Sequence, residues 1–260
     1  MAINRVLVVI PTYNCQKQVV ELLREIHLQP LPDMTCLWFI DNLSTDGTFE
    51  VTTEFINTNK CKNIHSFQAM QNNNLGGTHK IGFNEAISRS YDYIAILHGD
   101  NQASYNDLIN IIKRARKDGN VKSYLGSRFS RKSNLVGYSR KRIFGNIVLN
   151  FIYSIFKLKI LTDLGSGLNL YRVADLRKID YLGFGDSLTF NYELLLEMID
   201  SDIPFEFIPI EWREVDQVSN AKNFSIFLAG IDILLRNKFH RRKFAPNTGR
   251  IYQIDLNRHG

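Results

Sequence analysis

The sequence predicts an α/β protein with a mostly parallel central sheet and helices on both faces. Two observations carry that prediction. Short apolar runs rich in Val, Ile, Leu and aromatics alternate with helix-period patterns through the first half of the chain. Each run then ends in a polar or glycine-rich cluster, at the strand ends where open α/β sheets bind ligands.

The first strands are expected at "RVLVVI" (5–10), "CLWFID" (36–41), "IHSFQAM" (64–70) and "YIAILH" (93–98). Between them, "QKQVVELLREIH" puts Val19, Leu22, Leu23 and Ile26 on one helical face. "TDGTFEVTTEFINT" does the same with Phe49, Thr52, Phe55 and Ile56, and "GTHKIGFNEAIS" with Ile81, Asn84, Glu85 and Ile87. "SYNDLINIIKRARKDG" has Ser104 placed as an N-cap, an apolar stripe of Leu108, Ile111, Ile112 and Ala115, and basic residues in its last turn. The second half is less regular. "KSYLGSRF" (122–129) reads as a fifth strand, and "RKRIFGNIVLNFIYSIFKLKI" (140–160) as a helix apolar over much of its circumference with cationic ends. "GLNLYRV" and "FEFIPIEW" read as strands flanking the helix "SLTFNYELLLEMID". An amphipathic helix at 223–239 leads into "HRRKF" and a tail without clear pattern. There is no linker and no repeat.

At 260 residues the chain can bury a sizeable core. Its net charge of +6, from 32 basic and 26 acidic residues, favours anionic partners. Nucleic acid is not expected, because aromatics are not interleaved with the basic clusters and no recognition motif is present. Cys15, Cys36 and Cys61 lack metal-ligand spacing and suit a reducing cytoplasmic setting. The N-terminus lacks a signal-peptide pattern, and no apolar stretch is long enough to span a bilayer. A soluble protein, or one peripheral on the cytoplasmic membrane face, is expected.

The strand ends each admit two readings. "IPTYN" presents Thr12, Tyr13 and Asn14 beyond a Pro that is expected to end the first strand, and is either a binding turn or a plain one. Asp41 in "FIDNLSTDGT" either caps the next helix or faces a base or sugar. Gly76-Gly77 lets backbone amides approach a ligand, with Lys80 following, or is only turn chemistry. In "LHGDNQ", Asp100 is a hard oxygen ligand and Gln102 adds a second oxygen from the same face of an extended segment, which suits Mg²⁺ or Mn²⁺ sharing substrate phosphates. His98 is either a softer third ligand or a hydrogen-bonded core residue.

Taken in order, "VVIPTYNCQKQVVELL", "FIDNLSTDGT", "NNLGGTHKIGFNEAI", "AILHGDNQ", "GSRF", "LTDLGSGLNLYR" and "PIEWREVDQVSNAKNF" resemble the motifs of family 2 glycosyltransferases. The subgroup most similar is that of dolichyl-phosphate and polyprenyl-phosphate sugar transferases. The resemblance implies a GT-A fold over residues 1–222, with the helix and basic tail of 223–260 appended. It also implies a UDP- or GDP-sugar donor, a divalent Mg²⁺ or Mn²⁺, inversion at the anomeric carbon, and a polyprenyl-phosphate or glycan acceptor. Carried over by position, Pro11 and Tyr13 would line the nucleobase pocket with Thr12 between them, and Asp41 would contact the base. Lys80 matches a basic position. His98 and Gly99 lead into Asp100, which matches the second acid of an Asp-x-Asp-type motif, and Gln102 matches its following Gln. Arg128 would face phosphates, Ser166 and Gly167 fall in the Ser-Gly-Phe equivalent, and Trp212, Arg213, Ser219 and Lys222 match the acceptor loop. Two features depart from the pattern. His98 stands where many members carry the first Asp, and "REVDQVSNAK" is not the usual loop form.

The chemistry follows from charge. A metal at Asp100, with Arg128 or Lys80 nearby, would stabilise the departing diphosphate. A phosphate acceptor needs no base, whereas a hydroxyl acceptor needs a carboxylate, for which Asp186 and Glu193 are the candidates. Asp186 reads otherwise as a helix cap and Glu193 as a solvated residue. The basic segments at 139–144 and 237–244 are either solvated or, beside their apolar runs, suited to an anionic membrane. The rival to an enzyme is a catalytically silent nucleotide-sugar-binding scaffold, prompted by the missing first acid.

Overall fold

The computed structural model describes residues 5–118, 121–214, 223–239 and 249–259. Its first half follows the expected alternation: β1 (Val6–Thr12), α1 (Gln16–Leu28), β2 (Thr35–Asp41), α2 (Thr48–Asn59), β3 (Ile64–Ala69), α3 (Asn74–Ser88), β4 (Tyr93–Leu97), α4 (Tyr105–Lys117) and β5 (Ser123–Ser127). Every residue of β1 and β4 is buried, as a sheet covered on both faces requires. Alternate residues of β1 enter different cores. Val6, Val8 and Ile10 pack with the stripe of α1 and with Leu108, Ile111 and Ile112 of α4. Leu7 and Val9 pack with Ile81 and Phe83 of α3 on the opposite face.

The second half comprises β6 (Asn134–Val136), α5 (Arg140–Lys157), β7 (Leu168–Arg172), α6 (Val173–Leu176), α7 (Phe190–Asp200), β8 (Phe205–Pro209), β9 (Glu211–Arg213), α8 (Asn223–Lys238) and β10 (Ile254–His259). The main sheet runs β10-β3-β2-β1-β4-β7-β5-β8, and β6 pairs with β9 in a small second sheet. β3, β2, β1 and β4 are mutually parallel. β7 is antiparallel to both β4 and β5, and β8 is parallel to β5. The carboxyl ends of β1 to β5 and β8, and the amino end of β7, therefore meet along one edge. That single fact assembles the site.

Four expectations are corrected. Pro11 does not end β1: the strand continues through it to Thr12, paired with Asp41. The missing Pro11 N–H falls on the β4 side, where the β1–β4 ladder has already stopped at Val9 and Ile96. α3 has no single apolar stripe. His79, Lys80, Phe83 and Ala86 are buried along with Ile81, because the helix lies beneath the 181–190 segment and the C-terminal stretch. "FEFIPIEW" is two strands: beyond Pro209, Ile210 still donates to Ser127 but its carbonyl turns to Asn134 and carries the chain into β9. The patternless tail is an antiparallel edge strand, with Ile254 opposite Ala69 of β3. The described parts of 223–259 join the core of the preceding chain through Ile233, Leu234 and Ile254.

Candidate active site

The strand-end edge divides into two halves. The first lies at the ends of β1, β2 and β3. Asp41 is buried, and its carboxylate accepts from the Ser44 N–H at 3.0 Å, the Ser44 hydroxyl at 2.5 Å and Gln68 Nε2 at 3.0 Å. Arg258 of β10 in turn donates to Gln68 Oε1. Asn14, at φ 47°, accepts from the Thr45 N–H at 2.8 Å and ties the 42–47 turn to the end of β1. Pro11 and Thr12 are buried here, while Tyr13 is 53% exposed beyond the strand. Asp41 is thus at a strand end as expected, and it braces the following turn rather than capping a helix.

The second half is a cavity of about 760 Å³. His98, Asp100, Gln102, Arg128, Gly165, Gly167 and Trp212 form its sheet end. It runs on beneath α5, with Lys141, Arg142, Phe144 and Leu149 on one wall, and is closed by Tyr192 of α7 and Phe227 of α8. Gly99 allows the corner to form. A Cβ there would stand 2.6 Å from Thr12 Cγ2 and 2.9 Å from the Pro11 carbonyl, to which Gly99 N–H donates at 3.0 Å. The 100–102 segment is a turn and not the extended stretch expected, because Asn101 stands at φ 53°. Across it Asp100 accepts one described hydrogen bond, from the Gln102 N–H at 3.2 Å. Asp100 is the only carboxylate among the described lining residues, with Gln102 on the same cavity. Burial holds the His98 imidazole below its ordinary pKa against the pull of Asp100, with Arg128 adding to the lowering, so the ring is neutral at pH 7.

Arg128 is buried and clamped by Asp163, with Nε and Nη2 each donating at 2.8 Å, and Nη2 also reaches the Gly165 carbonyl at 3.1 Å. Its guanidinium lies between the rings of Phe129 and Trp212, 5.1 and 5.0 Å from their centroids. Burial disfavours its charge, but the Asp163 contact outweighs that and raises its pKa. Ser166, in the Ser-Gly-Phe equivalent, is buried and donates to the Leu168 carbonyl at 3.0 Å, shaping the turn into β7. Arg213 points away to Glu211 at 2.7 Å. Ser219 and Lys222 lie outside the described residues, as does "HRRKF".

Lys80 does not reach the cavity. It is 1% exposed and its Nζ donates to the carbonyls of Phe184 at 2.5 Å and Leu182 at 3.2 Å and to Asp186 at 2.7 Å. Asp186 also accepts from Arg250 at 2.6 Å and from the Tyr252 hydroxyl at 3.1 Å, and it does not line the cavity. Gly76 serves the same junction: its N–H donates to the Asp186 carbonyl at 2.8 Å, and a Cβ would meet Gly185 and Phe190. The Gly pair is therefore a close-packing feature, not a ligand cradle. Glu193 accepts from the Gly185 N–H at 2.8 Å, and burial raises its pKa despite that bond and the nearby Lys80. It too lies off the cavity. Sequence reasoning missed Asp163, although it sits inside "LTDLGSGLNLYR", and missed Lys141 and Arg142, which it treated only as surface charge.

The mostly parallel sheet with helices on both faces is the GT-A fold. The chain belongs to glycosyl transferase family 2, whose family model matches residues 7–180. The polyprenol monophosphomannose synthase of Mycolicibacterium smegmatis is 25% identical over 214 residues, 81% of this chain and 78% of that protein. Among solved structures, a mannosyltransferase from Pyrobaculum calidifontis in complex with GDP-Man and Mn²⁺ matches with TM-score 0.58 at 19% identity, over 91% of this chain and 63% of that one. This chain therefore spans less than two thirds of that enzyme's length. Glucosyl-3-phosphoglycerate synthase from Mycobacterium tuberculosis, in complex with UDP, matches with TM-score 0.60 at 14% identity, over 97% of this chain and 86% of that one. At these identities the solved structures speak for the fold.

Proposed function

We propose that the protein is a metal-assisted, inverting transferase that moves a sugar from a UDP- or GDP-sugar to a polyprenyl phosphate. The observation that carries this reading is the composition of the cavity wall. Asp100 is the only described carboxylate on it, while Lys141 and two paired cations, Arg128 held by Asp163 and Arg142 held by Glu214, supply positive charge and Phe144, Val148, Leu149, Ile226 and Phe227 an apolar wall. Such a site suits an acceptor that is already anionic and carries a hydrocarbon chain. Among the described lining residues there is no second carboxylate of the kind a hydroxyl acceptor would need as base. Asp186 and Glu193, the candidates for that role, are engaged elsewhere.

Among the described residues, no cluster of three or more His, Cys, Asp or Glu comes together as a metal site. Asp100 and Gln102 nevertheless fit a Mg²⁺ or Mn²⁺ that takes its other ligands from the diphosphate and water. When bound, that ion neutralises the charge developing on the leaving diphosphate. The chain's own contribution is to hold the carboxylate open, to keep Arg128 charged and fixed beside the departing group, and to exclude water behind Trp212.

The outer face of α5 supports a membrane-borne acceptor. Phe144, Ile147, Phe151, Ile155 and Leu158 form an exposed stripe at helical spacing that adjoins the cavity, with Arg140 and Lys141 at one end and Lys159 near the other. Among the described residues, no helix is long and apolar enough to cross a membrane. Contact with an anionic bilayer through this stripe would deliver the lipid phosphate to Arg142 and Arg128.

The test is donor turnover with Mn²⁺ and a short-chain polyprenyl phosphate, measured for the native chain and Asp100→Ala. Product formed on the lipid and lost in the variant is expected. Transfer to a soluble glycan hydroxyl and not to the lipid would overturn the acceptor assignment. Donor binding without turnover on any acceptor would favour the silent scaffold. Co-flotation with anionic vesicles, reduced in Phe151→Glu, tests the membrane face, and no flotation at low salt removes it.

A further inference from the structure

Two histidines lie one behind the other at the cavity's sheet end. His98 follows β4 and lines the cavity with Asp100 and Gln102. Its backbone N–H donates to the Gly167 carbonyl at 3.0 Å, and a Cβ on Gly167 would stand 2.8 Å from His98 Nδ1. Nδ1 therefore borders Gly167 and the cavity that Gly167 also lines. The opposite nitrogen, Nε2, is buried without a hydrogen-bond partner. His79 of α3 is 1% exposed, and both of its ring nitrogens are buried without a partner. The two ring centroids are 5.6 Å apart. The other rings against His79 belong to Phe83 and Phe190, which offer neither donor nor acceptor.

Buried polar nitrogens carry their full desolvation cost when unpaired, so three of them in one spot call for an explanation. A linear N–H···N bond places two imidazole centroids roughly 5 Å apart, close to the separation of these two rings. We infer that His79 and His98 form a buried imidazole pair, in which His79 accepts the Nε2–H of His98 and so presents the Nδ1 lone pair of His98 to the divalent cation beside Asp100 and Gln102. The inference rests on the metal-assisted reading above. His79 is the positioning residue: a ligating imidazole needs its other N–H held by an acceptor to fix tautomer and ring orientation. The pairing satisfies two of the three orphaned nitrogens. It also gives the site a borderline nitrogen donor, which selects Mn²⁺ over the harder Mg²⁺.

The experiment uses the full chain and Mn²⁺ with UDP and with GDP. Pulsed EPR of the Mn²⁺ complex is expected to show an imidazole nitrogen coupling that disappears in His98→Ala. In the metal-free protein, ¹⁵N shifts are expected to show His98 protonated at Nε2 only, and His79→Phe is expected to mix the tautomers. That variant suits the aromatic surroundings and is expected to weaken Mn²⁺ binding about tenfold, with recovery in His79→Gln, whose carbonyl accepts. A native Mn²⁺ complex without nitrogen coupling, together with loss of Mn²⁺ binding in Asp100→Asn, overturns the imidazole ligand and leaves the metal reading standing. Absence of Mn²⁺ binding with either nucleotide overturns the metal reading, and this inference with it.

Discussion

Two buried cation–carboxylate pairs brace the strand-end region, and they differ in what lies beside them. Arg128 and Asp163 join the end of β5 to the turn before β7 through two parallel contacts of 2.8 Å, and the guanidinium borders the cavity. Lys80 and Asp186 join α3 to the segment before α7, with Arg250 and Tyr252 of the C-terminal stretch on the same carboxylate, and neither borders the cavity. Both are ion pairs in low dielectric, where losing one partner costs far more than the pair itself contributes. The first holds a charge where a diphosphate would leave. The second bolts the tail onto the helical layer. A buried cation therefore bears on the chemistry only when one face of it remains open to the site.

Breaking each pair sharpens that contrast. Asp163→Ala leaves Arg128 buried with no other carboxylate partner among the described residues, so a stability loss of about 3–5 kcal/mol is expected in urea denaturation, with turnover lost as well. A loss near zero would mean that the clamp does not hold the corner. Asp100→Ala is expected to reduce kcat on the order of 10²–10³-fold, the scale of losing one electrostatic stabiliser, with the urea midpoint unchanged. A matching fall in stability would recast Asp100 as structural. Lys80→Met is expected to cost about 1–3 kcal/mol, less than the Asp163 change, because Arg250 and Tyr252 continue to satisfy Asp186. Turnover of the folded variant should match the native chain, and its loss would return Lys80 to the diphosphate site.

The smallest expected effect is a pH dependence beside the second pair. Glu193 is raised above its ordinary 4.5 by burial, against the Gly185 N–H and the charges of Lys80 and Arg236, with Asp186 adding to the rise. The native state thus holds this proton more tightly than the unfolded chain. The contribution is complete below pH 4.5 and is lost as pH rises through the folded-state value, with a slope of at most about 1.4 kcal/mol per pH unit. Glu193→Gln should flatten that part of the stability profile, and an unchanged profile would locate the titration elsewhere.

Local pattern located much of the fold. β1 and β4 were readable because a doubly covered strand is apolar along nearly its whole length, and the α1 stripe because one face of a surface helix is buried. Pattern failed for α3, where both His79 and Lys80 are buried, since burial all round leaves no period to read. It failed again for β10, whose "IDLNRH" carries one apolar residue fewer than an alternating strand and pairs on one side only. At the site, Arg128 was legible because it immediately follows β5, and Asp100 and Gln102 because they lie in the turn that leaves β4, two strands whose direction sends the chain to the ligand edge.

The sequence by itself determined which residues stand at the ends of the strands, because strand, turn and glycine signals act over a few neighbouring positions. Only the tertiary structure decided which of those charges stay available. Lys80 meets Asp186 across 106 positions and Asp186 meets Arg250 across 64, while Arg128 meets Asp163 across 35. Ionic partners are selected by proximity in space, which no local window encodes, and so the sequence could offer Lys80, Asp186 and Glu193 alongside Asp100 but could not show that those three are engaged elsewhere.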